Sequence, residues 1–179
     1  MRVEGGTRNG PEHHNRIHAS VSAFQSASDD MIVALERLSD EAAARVPEDG
    51  GWNPAQIGYH VGATNDFIAG VLTGTIPIAV PAPPDFVENP EVFKRVPARI
   101  ETFPQLEPPP TVTRADAIAN LRQSTSATVK AIESLAADRA AGYCVQFPVG
   151  QLSMYQVADF VGGHVMRHQK QFQRATAGV

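Results

Sequence analysis

Three histidines of this 179-residue chain have the type and spacing needed to bind a metal ion: His60, His164 and His168. His164 and His168 stand four residues apart, which places both side chains on one face of a helix. His60 lies much earlier, on a segment whose pattern also predicts a helix. Three imidazoles from two helices can bind a divalent ion and leave one coordination position open for water or a substrate. An open position is typical of catalytic metal sites.

Carboxylates are missing from the positions where familiar metal hydrolases and di-iron proteins need them. The residues between the two later histidines are Val165, Met166 and Arg167, so the Glu of an H-E-x-x-H motif is absent. Asp66 and Asp159 are the nearest acids in sequence, and neither shares a helical face with its neighbouring histidine. A metal ion held by neutral ligands strongly acidifies a bound water or thiol. The pattern therefore favours a substrate that brings its own nucleophile, such as a small-molecule thiol.

Four other residues have side chains that can bind metals, and their surroundings argue against that role. His14 and His18 are also four residues apart, but with His13 they lie among polar residues near the N-terminus. That setting predicts a solvated surface cluster. Cys144, the single cysteine, stands in a predicted turn with no neighbouring cation to activate its thiol. We interpret it as a small buried side chain rather than a ligand or nucleophile.

Hydrophobic residues recur at helical spacing in four stretches, which predicts an all-α fold of the four-helix-bundle class. The first helix is predicted over residues 17–45. The second begins at Asn53, the third at Thr113 and the fourth at Ser153, each with a side chain that can cap the helix. No alternating run indicates a strand, and residues 141–150 are predicted to form a turn.

A long proline-rich segment, residues 74–110, separates the second and third predicted helices. It holds ten of the chain's 14 prolines. A connection of this length is unusual in a compact domain, and it is interpreted either as a peripheral insertion or as a flap that contacts a partner. The predicted organisation is thus a flexible segment over residues 1–14, followed by a bundle over residues 15–179 that contains this insertion. The expected hydrophobic anchors of the insertion are Phe86, Val92, Phe93 and Ile100.

Composition excludes several functional classes. The chain is 42% hydrophobic and 19% charged, with a formal net charge of -4 and no basic run, so nucleic acid is not an expected partner. No apolar stretch approaches the roughly 18–20 residues needed to span a bilayer, and no signal peptide is recognised, so no membrane association is expected. A single cysteine cannot form an internal disulfide, which favours the cytoplasm.

Two motifs resemble those of the DinB/YfiT-like metalloenzyme superfamily. Residues 52–60 (WNPAQIGYH) resemble the start of that family's second helix. Residues 147–153 (FPVGQLS), followed by the H-x-x-x-H-Q-x-Q pattern that begins at His164, resemble its last helix. The motifs are short, but their order and separation are fairly specific, and the resemblance covers residues 15–176.

The resemblance implies a four-helix bundle with one long crossover connection, a metal ion held by His60, His164 and His168, and a homodimer. In that family the metal is often nickel or zinc, although imidazole ligands also suit copper and iron. Family members with known activity include thiol transferases that use bacillithiol, mycothiol-dependent isomerases and hydrolase-like proteins. The segment over residues 74–110 is longer than the simple family pattern.

These observations lead to one functional hypothesis and two alternatives. The hypothesis is a metal-dependent transferase that activates a small-molecule thiol at the three-histidine site. The first alternative is a non-catalytic stress or dimerisation module in which the metal only stiffens the core. The second alternative is a metal-dependent hydrolase, which requires Asp66 or Asp159 to reach a metal-bound water.

Overall fold

The computed structural model describes residues 10–48, 50–95 and 102–177 of the chain. Within these ranges the protein is mostly helical and carries one small antiparallel sheet. Two short 3-10 turns lie at Val92–Arg95 and Pro104–Leu106. The helices and strands are α1 (Pro11–Glu36), α2 (Asp40–Ala44), α3 (Pro54–Thr73), β1 (Val80–Pro81), α4 (Arg114–Glu133), α5 (Ala137–Gly142), β2 (Tyr143–Phe147), β3 (Gly150–Ser153) and α6 (Met154–Ala175).

The four predicted helical stretches correspond to α1, α3, α4 and α6, and their predicted caps are confirmed. Asn53 accepts a hydrogen bond from the Gln56 backbone amide, and the Gln56 side chain accepts one from the Asn53 amide. Ser153 and Gln156 form the same reciprocal pair at the start of α6. The Thr113 hydroxyl caps α4. These bonds satisfy amides that have no partner within the helix and fix where α3 and α6 begin.

The first predicted helix is interrupted and starts earlier than expected. The helix predicted over residues 17–45 is split into α1 and α2, because Ser39 accepts a hydrogen bond from the Ala42 amide and caps a new helix. Pro11 occupies the first position of α1, where its missing N–H has no consequence. Residues 11–14 of the expected flexible segment are therefore helical, and residues 1–9 lie outside the described part of the chain.

Each of the four long helices has two principal neighbours: α1 packs on α4 and α6, and α3 packs on the same two helices. Helices α3 and α4 run parallel. Gly58 lies against Ala117 near the start of both helices, and the Asn65 carbonyl accepts a hydrogen bond from Thr128 further along both. A 20-residue helix is about 30 Å long. The connection over residues 74–113 must therefore return along the whole length of α3.

The prediction that residues 141–150 form a turn and that the fold lacks a sheet is wrong. Strands β2 and β3 form an antiparallel hairpin in which Cys144 pairs with Ser153, and β1 adds a third strand by pairing Val80 with Cys144. Gly150 closes the hairpin turn with a φ of 132°, a conformation that favours glycine. The strands are too short to give an alternating pattern, and β1 comes from a distant segment that sequence periodicity cannot pair.

The proline-rich segment packs on the helices through hydrophobic side chains that the sequence analysis predicted to be its anchors. Val92 is buried, and Phe93 packs partly buried against the core. Phe86 is half-buried, and Ile100 lies outside the described residues. Near these anchors the side chain of Glu88 also ties the segment to the helices.

Glu88 accepts two hydrogen bonds from the Arg16 guanidinium, at 3.1 and 3.2 Å, and a third from the Ser153 hydroxyl at 2.6 Å. The Arg16 guanidinium also lies 3.9 Å from the centre of the Tyr155 ring. These contacts join the proline-rich segment to α1 and to the start of α6. Bidentate pairing of this kind fixes orientation as well as distance.

One hydrophobic core lies between the long helices and extends under the hairpin. Each long helix contributes fully buried side chains, including Leu35, Ile57, Leu121 and Val161. Cys144 is also fully buried, as predicted. In the part of the chain that the structure describes, every helix is too short or too polar to cross a membrane.

Replacing Leu35 with Ala is expected to lower the free energy of unfolding by about 2–5 kcal/mol, the usual result of emptying a fully packed site. Leu35 is 0% exposed and lies against Gly58 of α3, so α1 and α3 would lose a shared contact. Val33 is on the same helix and 40% exposed, and Val33→Ala should change stability by no more than about 0.5 kcal/mol. Urea unfolding of both variants makes the comparison, and equal losses would contradict the described packing of α1.

Candidate metal centre

The structure brings His60, His164 and His168 together. One potential ligand nitrogen from each ring lies within 4.8 Å of the others. The ring centres are 5.2 Å apart for His60 and His164, 4.7 Å for His60 and His168, and 4.4 Å for His164 and His168. His60 comes from α3, and the other two come from successive turns of α6. The predicted juxtaposition of all three rings is thus present.

Two of the three rings have a fixed tautomer. The Nδ1–H group of His60 donates to the Leu106 carbonyl at 2.9 Å, and that of His168 donates to the Gln171 side-chain oxygen at 2.8 Å. A neutral imidazole with its proton on Nδ1 carries a lone pair on Nε2. Metal-binding histidines usually show this arrangement, because the second hydrogen bond orients the ring and makes the ligand nitrogen more basic.

His164 differs from the other two because its Nδ1 is buried and has no hydrogen-bond partner among the described residues. A buried polar atom without a partner is rare in folded proteins and calls for a ligand or an ion. A set of three clustered imidazoles, two with Nε2 free to coordinate and one with an unpartnered nitrogen, fits a divalent transition metal.

The surroundings keep all three histidines neutral. Burial lowers the pKa of His60, partly offset by its bond to the Leu106 carbonyl. Burial, followed by the proximity of His168 and His60, lowers the pKa of His164 well below its usual value. Burial and the neighbouring His60 lower the pKa of His168 to about 3. Neutral rings keep the lone pairs that coordinate a metal ion.

Sequence reasoning missed two of the contacts that orient these rings. The Leu106 contact is made by a backbone carbonyl from the proline-rich segment, so no side-chain pattern could reveal it. Gln171 is the last residue of the H-x-x-x-H-Q-x-Q pattern, and its position three residues after His168 was the available signal. The ring centre of Trp52 lies 4.7 Å from that of His60.

Comparison with known families is consistent with this geometry. The model of the DinB superfamily matches residues 23–172. The chain belongs to the DinB superfamily. No curated protein and no solved structure was found to match it. The matched region contains all three histidines and both capping boxes, and it excludes the first twelve residues of α1.

The histidines of this DinB-superfamily chain line a cavity of about 760 Å³. Helices α1, α3 and α6, the turn between β2 and β3 and the proline-rich segment all contribute to its walls. A volume of this size is in the range of pockets that bind cofactors and drug-sized molecules. These three histidines, His60, His164 and His168, are called the triad below. The triad lies at the side of a chamber large enough for a substrate.

The carboxylates considered from the sequence are not part of the histidine cluster. In the described part of the chain, the group of potential ligands around the triad contains the three histidines only. Asp159 lines the cavity and accepts a 2.5 Å hydrogen bond from the Ser20 hydroxyl. Asp66 is exposed as a whole residue, but its carboxyl is partly shielded from solvent, and this shielding raises its pKa.

The N-terminal histidines are only partly as predicted. His14 and His18 are exposed, but the prediction of a solvated cluster is wrong for His13, which is buried. Nδ1 of His13 forms a 2.7 Å hydrogen bond with the Tyr155 hydroxyl. Burial, followed by the nearby His14, lowers the pKa of His13. This contact joins α1 to α6, and these histidines stay apart from the described ligand cluster.

Acid is expected to destabilise the metal-free protein through the buried histidines. The unfolded chain protonates His168 near pH 6.5, whereas the folded protein holds that pKa at about 3. Between these values the unfolded state binds more protons, so the free energy of unfolding falls as the pH falls. Urea unfolding between pH 7 and pH 4 should show a shallower dependence for His168→Gln than for wild type. His18→Gln is the exposed control, and a slope for His168→Gln equal to that of wild type would contradict the expectation.

Proposed function

We propose that this protein is a metal-dependent enzyme of the DinB-like type that transfers a small-molecule thiol to a second substrate. The observation that carries the proposal is the convergence of three neutral imidazoles on the wall of a large cavity. Three protein ligands suit a catalytic rather than a structural site. The absence of a carboxylate or thiol from the described ligand cluster favours a substrate that supplies the nucleophile.

The residues of the chain perform two separate tasks in this proposal. His60, His164 and His168 would hold a divalent ion, zinc or nickel, and the Leu106 carbonyl and Gln171 keep two of the rings in the orientation that coordination requires. When bound, such an ion supplies a Lewis acid that lowers the pKa of a thiol or water at its open position. The walls of the cavity would exclude bulk water and hold the second substrate beside the triad.

Metal binding is expected to require the histidines of the triad. Tag-free wild-type protein should bind about one ion per chain, and the double variant His164→Ala/His168→Ala should lose it. His14→Ala/His18→Ala is a matched control, because those two histidines are also four residues apart on a helix and are exposed. Mass spectrometry of the metals in the three proteins makes the comparison. Metal retained by the triad variant, or absent from wild type, would remove the basis of the proposal.

Thiol transfer is expected to rise with metal occupancy. In the assay a thiol and 1-chloro-2,4-dinitrobenzene give a thioether: a carbon–sulfur bond forms, the carbon–chlorine bond breaks, and chloride and the thiol proton are released. Glutathione, bacillithiol and mycothiol are each tested with wild type and with the two double variants. Metal binding without turnover of any thiol would instead support the alternative of a non-catalytic, metal-stiffened module.

Replacing Gln171 with Ala is expected to weaken metal binding about 10–100-fold, because His168 would lose the acceptor that orients its ring. Gln171→Glu keeps an acceptor and should bind metal more tightly than Gln171→Ala. Gln173 is exposed on the same helix and provides the control Gln173→Ala. Competition with a chromogenic chelator measures the affinities. Equal affinities for Gln171→Ala and wild type would show that this contact does not support the site.

The same family assignment supports an architectural proposal. The ring of contacts among α1, α3, α4 and α6 is consistent with a four-helix bundle, and the connection over residues 74–113 is consistent with its one crossover. Homodimerisation is implied by the family resemblance, and light scattering of the purified protein tests it. A cytoplasmic location is consistent with a single, fully buried cysteine.

A further inference from the structure

The cavity beside the triad has a wall of aromatic rings that pack on one another at tilted angles. Phe160 of α6 lies at its centre, with ring-to-ring distances of 5.3 Å to Phe147 and 6.3 Å to Phe93. Phe160 also lies 5.7 Å from the His164 ring. These spacings are those of favourable aromatic pairs. The three phenylalanines come from α6, β2 and the proline-rich segment, so three separate parts of the chain build one aromatic surface that leads to the metal-binding histidines.

An exposed glycine, Gly163, lies at the wall of this cavity. Gly163 lines the cavity immediately before His164, and a side-chain carbon added there would meet no atom within 4 Å. The preceding Gly162 is different, because the same carbon would lie 3.4 Å from the backbone nitrogen of Phe24. At Gly162 the added carbon would thus make an ordinary van der Waals contact with α1, where α6 packs on that helix. Gly163 is not needed for packing, and glycine within a helix is destabilising by about 1 kcal/mol relative to alanine.

The charges that face the cavity balance. Outside the histidines, the charged side chains among the described lining residues are one acid, Asp159, and one base, Arg167. A ligand with a large net charge would gain little from such a surface and would lose its hydration. An apolar ring system would bury its surface against the phenylalanines.

From these contacts we infer that the cavity binds a neutral, largely apolar small molecule with an aromatic ring system, and that Gly163 keeps open the space it occupies. The inference rests on the proposed function in one respect, since this molecule would be the second substrate that receives the thiol. It names that substrate by class and identifies Gly163 as a residue that determines specificity. The binding itself does not require the metal.

Equilibrium dialysis with 2-naphthol tests the role of Gly163. Wild type should bind the probe, Gly163→Ala should bind it more weakly, and Gly163→Leu should bind it at least about tenfold more weakly, because the leucine fills the same space. Gly142→Leu is the matched control, since Gly142 also has open space beside it but lies outside the cavity wall, and it should bind like wild type. Thermal melts confirm that all four proteins fold. Wild-type binding no tighter than that of Gly163→Leu would overturn the inference.

A second comparison tests the preference for an aromatic ligand. Decahydro-2-naphthol has the same skeleton and hydroxyl group as 2-naphthol but lacks the aromatic rings. Wild type should prefer 2-naphthol by about fivefold, the usual contribution of one favourable aromatic pair. The preference should fall in Phe160→Leu, which keeps an apolar wall but removes the central ring of the three. Equal binding of the two probes by wild type would show that the cavity selects apolar molecules without regard to aromaticity and would overturn this part of the inference.

Metal content measured in the same samples separates this inference from the proposed function. Probe binding that persists in chelator-treated, metal-free protein supports the inference whatever the outcome for the metal. Metal-loaded protein that does not bind 2-naphthol would overturn the inference and leave the proposed function standing. If wild type binds neither metal nor 2-naphthol, the missing metal contradicts the proposed function and the missing probe binding contradicts the inference.

Discussion

Burying three imidazole rings against one another is favourable only while all three are neutral. A proton on any of them would place a positive charge in a desolvated pocket, and burial accordingly lowers the pKa of every member of the triad. Neutral rings in turn need an acceptor for each N–H group. Leu106 and Gln171 supply two such acceptors, and these bonds leave the opposite nitrogens available for coordination. The chemistry of the site thus follows from the neutrality of its rings.

The topology of the fold explains why the proline-rich segment takes part in the site. Because α3 and α4 run parallel, the chain must travel back along α3 before α4 can begin. The returning segment passes over the cavity, where it contributes Phe93 and the Leu106 carbonyl. The contacts of Glu88 with Arg16 and Ser153 hold the segment in place. This connection, which the sequence presented as either a peripheral insertion or a flap that contacts a partner, is therefore part of the chamber wall and of the histidine environment.

The sequence predicted the parts of the protein that depend on short-range order. Helical periodicity predicted that His60, His164 and His168 face the interior, and the capping residues predicted where their helices begin. The hairpin was missed because its strands span four or five residues and owe their stability to pairing. His13 was assigned to the surface because its partner, Tyr155, lies 142 positions away. Contacts of that range depend on how the helices pack, which periodicity does not encode.

The acceptor for His60 is a main-chain oxygen, and this has a consequence for experiments on the site. Exchanging the Leu106 side chain removes buried apolar surface but leaves the carbonyl in place. A scan that replaces residues one at a time would therefore register position 106 as a packing position and overlook its electronic influence on His60, a candidate metal ligand. Backbone chemistry, such as an ester in place of the following amide or a change in the length of the loop, is needed to expose it.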